Sequence, residues 1–361
     1  MDPEPESVLG GLGAPGDSAH LVWYIHGAVP LSDGRVAMLT PVGDHKILVF
    51  ESSGRLSAAF GRTGRGPGEF QSPVRIQVLP GDTIAVWDQM YGPVYYFGPS
   101  GSLLRERRID LGALVAATRT GNQRPGESVH RPLPDGSFLI EIARPDWRPP
   151  AESGVLYRRP TGYVRIDSAY SAHSFGWWKG IERLSPRDWA DPVQVPFAPG
   201  SLIAAGGDPV KVYVTDSHRY EIHQFSATGI LQRIIRRTVE PVLVSDDELS
   251  GWKEAAGSVN PRWNWRNWDR AMSALPERQH PAISDLHVDA EGHLWVRRLN
   301  RERGWGEWAV FSSEGRWLGA LVVPMLGVYW IGEDFILGGH IDVETGIQTV
   351  ERYRLNRHGR S

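Results

Sequence analysis

Histidine and acidic side chains beside several short apolar runs could bind a metal ion or transfer protons. His26, His130 and His287 are three of the twelve histidines, and three converging histidines would suit zinc with an open fourth position. They share no common spacing, the sequence holds no HExxH pattern, and we expect His287 to point away from the neighbouring Asp285. The spacing therefore favours isolated packing histidines over a zinc centre.

Two glycine-rich stretches resemble nucleotide-binding motifs in residue type but lack the secondary structure that these motifs require. Residues Gly11 to Gly16 read G-x-G-x-x-G, but that motif needs a strand before it and a helix after it. Pro15 disfavours such a helix, and a strand rather than a helix follows the stretch Gly61 to Phe70. There is also no G-x-S-x-G nucleophile motif. Because the chain has no cysteine, thiol catalysis, disulfides and thiolate metal sites are excluded.

Charge and hydropathy exclude two classes of partner. The formal net charge is −3 with both signs interspersed, so there is no electrostatic case for nucleic acid. Two local basic clusters are interpreted as solvated strand faces: Arg233, Arg236 and Arg237, and Arg297, Arg298 and Arg301. No run of about 18 apolar residues predicts a membrane span. The first residues, Met1 to Ser7, are acidic and proline-rich and lack the pattern of a signal peptide.

Turn residues recur regularly along the chain, which also holds 41 glycines and 27 prolines. Short runs rich in Val, Ile, Tyr, Phe and Trp lie between these turns and are typical of antiparallel hairpins. Two hairpins make a four-stranded blade, and six blades make a propeller. The first turns of the six modules are 33–34, 81–82, 135–136, 207–208, 291–292 and 332–333. The second turns are 53–54, 100–101, 161–162, 228–229, 314–315 and 358–359.

Three motifs resemble those of the NHL-like six-bladed β-propellers, in particular a bacterial, usually exported subgroup of mostly unassigned function. The motifs are the stretch Gly61 to Phe70, the run Pro80 to Asp88 and the run Asp289 to Val296. The resemblance implies an all-β propeller over residues 20–359. It also implies a periplasmic or cell-surface location. We expect residues 1–19 to include a strand, at Ser7 to Leu12, that completes the last blade.

Two tryptophan-rich stretches, 169–200 and 239–281, interrupt the period and are predicted to be partly helical insertions. A capping box, Ser245 to Glu248, predicts that a helix starts the second, and residues 264–275 also read as helical. Both stretches lie between the last strand of one predicted blade and the first strand of the next. Such connections emerge on one face of a propeller, and binding residues usually lie on loops of this kind.

The resemblance also directs attention to the central funnel, where enzymatic propellers of the lactonase type hold calcium. Calcium takes six to eight oxygen ligands. The aligned first-strand positions are Gly27, Arg75, Val129, Ser201, Asp285 and Gly327, which offer only one carboxylate. Arg75 and Asp285 could instead face each other as a structural ion pair. We expect no cofactor, with calcium and zinc kept as the metals of an enzymatic alternative.

The insertion-bearing face carries the favoured functional hypothesis, a non-enzymatic recognition propeller. It would dock on a protein or on a larger membrane-associated complex, since Trp and Arg concentrate interface energy. The alternatives are a lyase, lactonase or hydrolase acting in the funnel, and a glycan or small-ligand binder. Two groups of candidate residues follow. The face candidates are Trp177, Trp178, Trp189, Trp252, Trp263, Trp265, Arg266, Trp268, Arg270, Arg62 and Arg65. The funnel candidates are Arg75, Asp285, His26 and His130.

Overall fold

A computed structural model gives the protein as a set of antiparallel sheets with one described helix. The residues it describes are 4–11, 22, 24–43, 46–88, 93–108, 127–144, 147–152, 155–169, 171–185, 193–259, 278–299, 306–325, 327–342 and 344–357. Within them, 25 strands and one helix are assigned. Everything that follows concerns this part of the chain.

Six sheets follow one another along the chain, and each is one blade. Their strands, in chain order, are as follows. Blade one holds β2 (Gly27–Pro30), β3 (Val36–Leu39), β4 (Ile47–Phe50) and β5 (Leu56–Phe60). Blade two holds β6 (Pro73–Leu79), β7 (Thr83–Asp88), β8 (Pro93–Phe97) and β9 (Leu103–Arg108). Blade three holds β10 (Glu127–Pro132), β11 (Phe138–Ala143), β12 (Leu156–Ile166), β13 (Ala172–Leu184) and β14 (Val193–Gln194).

The second half repeats the arrangement. Blade four holds β15 (Leu202–Gly206), β16 (Lys211–Thr215), β17 (Glu221–Ser226) and β18 (Leu231–Arg236). Blade five holds β19 (Asp285–Val288), β20 (Leu294–Leu299), β21 (Gly306–Phe311) and β22 (Trp317–Val322). Blade six holds β23 (Gly327–Ile331), β24 (Phe335–Ile341), β25 (Gln348–Arg354) and the N-terminal strand β1 (Ser7–Leu9). The six-bladed all-β architecture predicted from the sequence is thus confirmed.

The first and last blades are joined by the N-terminal strand. β1 pairs antiparallel with β25, with Ser7 opposite Arg352 and Leu9 opposite Val350. The innermost strands contact their counterparts in neighbouring sheets: β2 contacts both β6 and β23, β6 contacts β10, and β15 contacts β19. Blade six is therefore built from both ends of the described chain and packs beside blade one.

The core lies between the blades. The inner strands β3 and β4 are buried at every position, because each blade is covered on both faces by its neighbours. Apolar clusters fill these spaces, as where Phe70 packs edge-to-face on Tyr95 between blades one and two. Phe70 is fully buried, and it anchors the glycine-rich link between those blades. Gly61 is needed there, because it has φ +72° and a Cβ would lie 2.5 Å from the Phe70 ring.

Blade three corrects two predictions. Thr161-Gly162 is not a turn but lies inside β12. The turn comes after that strand, where the Asp167 carboxylate accepts the Ala169 and Ser171 amides. Consequently much of the predicted 169–200 insertion is β13, the fourth strand of blade three, and β14 adds a fifth. The misleading glycine has a packing reason. A Cβ on Gly162 would come within 3.0 Å of the Trp177 ring.

The second predicted insertion begins as expected. The helix α1 (Asp246–Val259) follows the capping box, in which the Glu248 amide donates to Ser245 Oγ while Ser245 donates back to the Glu248 carboxylate. Capping of this kind satisfies backbone donors at the helix start. The predicted helix at 264–275 and the predicted turn at 358–359 lie outside the described residues. No helix among the described residues is both long and apolar enough to cross a membrane.

Candidate functional site

The strand order defines two faces of the propeller. Connections from one blade to the next, and those between the second and third strands of a blade, emerge on one face. We call it the insertion face because it carries 239–281. The first turns and the turns between the third and fourth strands emerge on the other, the turn face. An antiparallel strand order imposes this separation, since successive connections alternate between the two strand ends.

Two funnel candidates lie close together at the start of blades one and two. His26 Nδ1 is 2.8 Å from the Pro73 carbonyl oxygen. Burial lowers the pKa of His26, and the nearby Arg75 cation adds to the lowering. Burial also lowers the pKa of Arg75, whose Nη1 donates to the Val74 carbonyl. These contacts hold His26 and Arg75 as a basic pair beside the funnel. None of these contacts tests the predicted ion pair between Arg75 and Asp285, which stays a prediction.

The third funnel candidate, Asp285, has a histidine neighbour that the sequence reading placed wrongly. His287 Nε2 lies 3.5 Å from Asp285 Oδ2, so both side chains share one side of β19. The expectation that they point apart is wrong, because residues i and i+2 of a strand share a face. The His287 ring also packs edge-on against Trp308. The last candidate, His130, lies on β10, and its side chain is outside the described part of the structure.

A potential metal cluster lies on the turn face, away from the predicted funnel site. Ligand atoms of Asp289, Glu291 and His293 lie within 4.8 Å of one another. However, Arg357 Nη1 lies 2.9 Å from Asp289 Oδ2 and 2.8 Å from Glu291 Oε2. A metal ion would meet that positive charge, so these residues do not fit a metal. Arg357 also donates to the Gly332 and Glu333 carbonyls, and the cluster ties blade five to blade six.

The aromatic face candidates separate into different environments. Trp177 on β13 is 40 % exposed. Trp178 points the other way, packs edge-on against His223 in blade four and donates through Nε1 to the Phe175 carbonyl. Trp252 lies on α1 and is half-buried. The other members of the predicted aromatic surface lie outside the described residues: Trp189, Trp263, Trp265, Arg266, Trp268 and Arg270.

The two arginines of the glycine-rich link are both exposed. Arg62 Nε donates to Glu69 Oε1 at 2.6 Å. The same carboxylate accepts the Gly66 amide, and these bonds lower the pKa of Glu69. Arg62 therefore helps to hold the loop closed, whereas Arg65 projects from its tip with no ion pair among the described residues.

A cavity on the insertion face lies between blades four and five. Its volume is about 530 Å³, and four arginines line it: Arg219, Arg236, Arg237 and Arg298. They come from the β16–β17 loop, the end of β18 and the end of β20. Pro241, Gln279 and neighbouring residues at the base of 239–281 complete the wall. We call this cavity the arginine cleft.

The sequence analysis did not predict the arginine cleft, although it identified three of the four arginines that line it. Arg236 and Arg237 belong to one basic cluster and Arg298 to the other, and both were interpreted as solvated strand faces. The positions of these clusters along their strands could have predicted the cleft. Both clusters end strands that point to the insertion face of adjacent blades, so the propeller places them side by side.

The carboxylates of the cleft neutralise only part of its charge. Arg236 Nε donates to Glu221 Oε2 at 2.6 Å, while Arg298 Nη2 donates to the Glu240 backbone carbonyl at 2.9 Å. Arg237 stands over the rings of Tyr220 and Trp317, at 5.6 and 5.8 Å from their centroids. Within the described residues, Arg219, Arg237 and Arg298 have no ion pair with a carboxylate.

A buried hydroxyl also borders the cleft. Tyr220 is 4 % exposed, and among the described residues its hydroxyl has no hydrogen-bond partner. Burial raises the pKa of Tyr220 to about 12 even though Arg237 favours the ionised form. The hydroxyl itself is buried, so Tyr220 contributes to the cleft as part of its wall, with Arg237 over its ring.

Glu141 on β11 gives a separate prediction about pH. It is half-buried, burial raises the pKa of its carboxyl, and Arg159 offsets only part of the rise. The folded state therefore binds the Glu141 proton more tightly than the unfolded state, so ionisation costs stability as the pH rises. We expect Glu141→Gln to be more stable than the wild type at pH 7. The gain should shrink as the pH falls from the raised pKa of Glu141 toward the ordinary value of 4.5, and it should vanish below that value.

Urea unfolding at several pH values measures this difference. Glu254→Gln is the matched control, because Glu254 is exposed on α1 and should show little dependence on pH. A Glu141→Gln difference that stays constant from pH 7 to acid would contradict the assignment.

Comparisons with known proteins agree with this architecture. Residues 24–123 match the model of the DUF5128 family, described as a 6-bladed beta-propeller. No curated protein matches the chain. Solved structures similar to it include a Bacteroides fragilis protein described as exported, with 14 % identity, 97 % of this chain and 95 % of that chain covered, and a TM-score of 0.47.

Two further solved structures are similar to this chain over most of its length. A DUF4221 family member from Bacteroides vulgatus shares 9 % identity over 97 % of this chain and 98 % of its own, with a TM-score of 0.49. A catalytically inactive virginiamycin B lyase from Staphylococcus aureus shares 10 % sequence identity, with 96 % of this chain and 87 % of that chain covered and a TM-score of 0.39. Similarities at this level carry no argument about function. From its own sheets and the matched family segment, this chain is a six-bladed β-propeller.

Proposed function

We propose that this protein is a non-enzymatic recognition propeller that docks on a protein partner through its insertion face. The observation that carries the proposal is the arginine cleft, where Arg219, Arg237 and Arg298 line a cavity of about 530 Å³ without carboxylate partners in the described structure. Arginine is enriched among the residues that dominate interface energy, and here Arg219 and Arg237 are exposed while Arg298 is half-buried. A ligand that supplies the missing carboxylates would gain charge-assisted hydrogen bonds.

The position of the cleft supports docking on a larger partner. Its wall includes the base of the 239–281 stretch, where the backbone of Leu243 bridges to Gln279 and His280 Nε2 lies 3.0 Å from Glu248 Oε1. A segment bound in the cleft would therefore also meet the longest connection on this face. Rigid sheets that present such connections are a common basis for binding sites. A membrane-extrinsic, periplasmic setting for that partner belongs to the same proposal.

An enzyme acting in the funnel is the second candidate. The Asp285–His287 pair on β19 favours it, because an imidazole 3.5 Å from a carboxylate could transfer a proton. Calcium or zinc in the funnel would belong to this candidate. Metal analysis of untagged protein, with thermal melting in the presence of a chelator, separates the two proposals. Stoichiometric metal and a chelator-dependent melting temperature would replace docking by the enzymatic candidate.

Site-specific photocrosslinking tests the docking proposal directly. A photoreactive phenylalanine analogue would replace His218 or Glu240 at the cleft, and Ser53 or Thr228 on the turn face as matched controls; all four residues are exposed. In cells that make the protein naturally, we expect one defined adduct from the cleft positions and none from the turn face. The partner from that adduct, once purified, should bind the propeller in calorimetry.

Two outcomes would overturn the proposal. One is adduct formation of equal yield from both faces, which would indicate non-specific encounter. The other is a crosslinked partner that binds the wild type and a cleft variant with the same affinity.

A further inference from the structure

The arginine cleft continues into a second groove along the outer strands of blades four and five. That groove has a volume of about 520 Å³ and is lined by Arg233, Arg236 and Arg237 from blade four and by Phe311, Gly315 and Trp317 from blade five. Because Arg236 and Arg237 line both cavities, the cavities adjoin, and we call the two together the channel. Two adjoining cavities suit an extended chain better than a compact small molecule.

The channel has an excess of positive charge. Five arginines line it, namely Arg219, Arg233, Arg236, Arg237 and Arg298, whereas the lining acidic side chains are Glu221 and Glu240. Glu221 is shared between Arg236 and His223. A complementary occupant must therefore be anionic, since opposite charges steer encounter and fix the register of a complex.

Apolar surface alternates with these charges. Trp317 is 55 % exposed on β22, and Arg237 lies between it and the Tyr220 ring. Val239 and Val242 line the upper part of the cleft. A ligand that is anionic throughout would leave these surfaces uncovered, whereas a peptide with apolar residues between its carboxylates would cover them.

A phosphate-containing ligand fits less well. Phosphate sites in proteins commonly use converging backbone amides at a helix N-terminus. The helix beside the cleft, α1, starts with Asp246, Asp247 and Glu248, and these carboxylates would repel a phosphate placed there. The described cleft instead offers separate guanidinium groups, which suit carboxylates spaced along a chain.

We propose that the occupant of this channel is an acidic peptide segment of the protein partner, with glutamate or aspartate residues separated by apolar ones. This inference rests on the proposed function and specifies the chemistry of the partner. One carboxylate lies between Arg219 and Arg298, and another meets Arg237. The apolar residues of the segment pack on Trp317.

Fluorescence anisotropy with the full-length protein tests this inference. The probe is a fluorescein-labelled peptide of glutamates alternating with leucine and glycine, and the matched control peptide has glutamine at each glutamate. We expect the glutamate peptide to bind at least about tenfold more tightly than the glutamine peptide, which corresponds to about 1.4 kcal/mol. Raising the salt concentration should weaken its binding.

Two triple variants locate the binding. Arg219→Ser/Arg237→Ser/Arg298→Ser should lose at least about tenfold in affinity for the glutamate peptide. Arg55→Ser/Arg105→Ser/Arg354→Ser removes the same charge from exposed arginines away from the cleft and should bind within about twofold of the wild type. Circular dichroism and thermal melting verify that both variants are folded.

The inference is overturned if the glutamate and glutamine peptides bind alike, or if both triple variants lose affinity equally. It is also overturned if a sulfated oligosaccharide or inorganic phosphate binds at the cleft while the glutamate peptide does not. Crosslinks that persist at His218 and Glu240 while the glutamate peptide fails to bind would leave the docking function standing with a partner of different chemistry. Peptide binding without any cleft crosslink would instead count against docking in the cell.

Discussion

Asp289→Ala should destabilise the propeller by about 3–5 kcal/mol, the range for removing one partner of a buried ion pair. The Asp289 side chain is fully buried. Its Oδ1 accepts the amides of Glu291 and His293, and its Oδ2 accepts Trp295 Nε1 at 2.8 Å and lies 2.9 Å from Arg357 Nη1. Alanine would leave these donors, including a partly buried guanidinium, without their acceptor between blades five and six.

Urea unfolding followed by tryptophan fluorescence measures the loss. Glu291→Ala is the matched control, because Glu291 is exposed and contacts Arg357 and His293 at the surface of the cluster; exposed ion pairs contribute about 0–1 kcal/mol. Because Arg357 occupies the place of a metal in this cluster, a chelator should leave the melting temperature of the wild-type protein unchanged. Equal destabilisation by the two variants, or a large effect of chelator that Asp289→Ala abolishes, would contradict the role assigned to Arg357.

Leu9→Ala should cost about 2–4 kcal/mol, the range for truncating a fully buried leucine. Leu9 is 1 % exposed and packs with Val350 and Leu337 in the cluster shared by blades six and one. It also holds β1 against β25. Losing it should release the N-terminal strand and leave the edge of β25 unpaired, and unpaired edges promote aggregation.

Val8→Ala supplies the control from the same strand. Val8 is 44 % exposed on the other side of β1, and a surface substitution usually changes stability by no more than about 0.5 kcal/mol. Thermal melting and light scattering of both variants test the difference. If the Leu9→Ala variant has the same melting temperature as the Val8→Ala variant and stays monomeric, β1 does not hold the propeller closed.

Much of the fold follows from local chemistry that a single sequence displays. The turn signals at 33–34, 81–82, 135–136, 207–208 and 291–292 each separate the first two strands of a blade, because Gly and Asp tolerate tight turns wherever they stand. The capping box predicted the start of α1 in the same way, since its hydrogen bonds join residues three apart. Such signals require no knowledge of distant residues.

The errors lie where a distant side chain decides the backbone. Gly162 signals a turn in the sequence, yet it belongs to β12 because Trp177 of the neighbouring strand covers it. No local pattern shows which glycine makes a turn and which makes room for a ring. The predicted 169–200 insertion was wrong over β13 for the same reason.

The candidate site depends still more on tertiary structure. Arg236 and Arg237 come close to Arg219 within blade four, where the Arg237 amide donates to the Tyr220 carbonyl, but Arg298 joins them only when blades four and five pack side by side. Likewise, Asp289, Glu291 and His293 are near one another in the sequence, and only the fold brings Arg357 to them from the end of blade six. The sequence by itself determined the strands, the turns and the six-bladed repeat, because these depend on neighbouring residues. The tertiary structure decided which charges meet, because that depends on contacts between residues far apart in the chain.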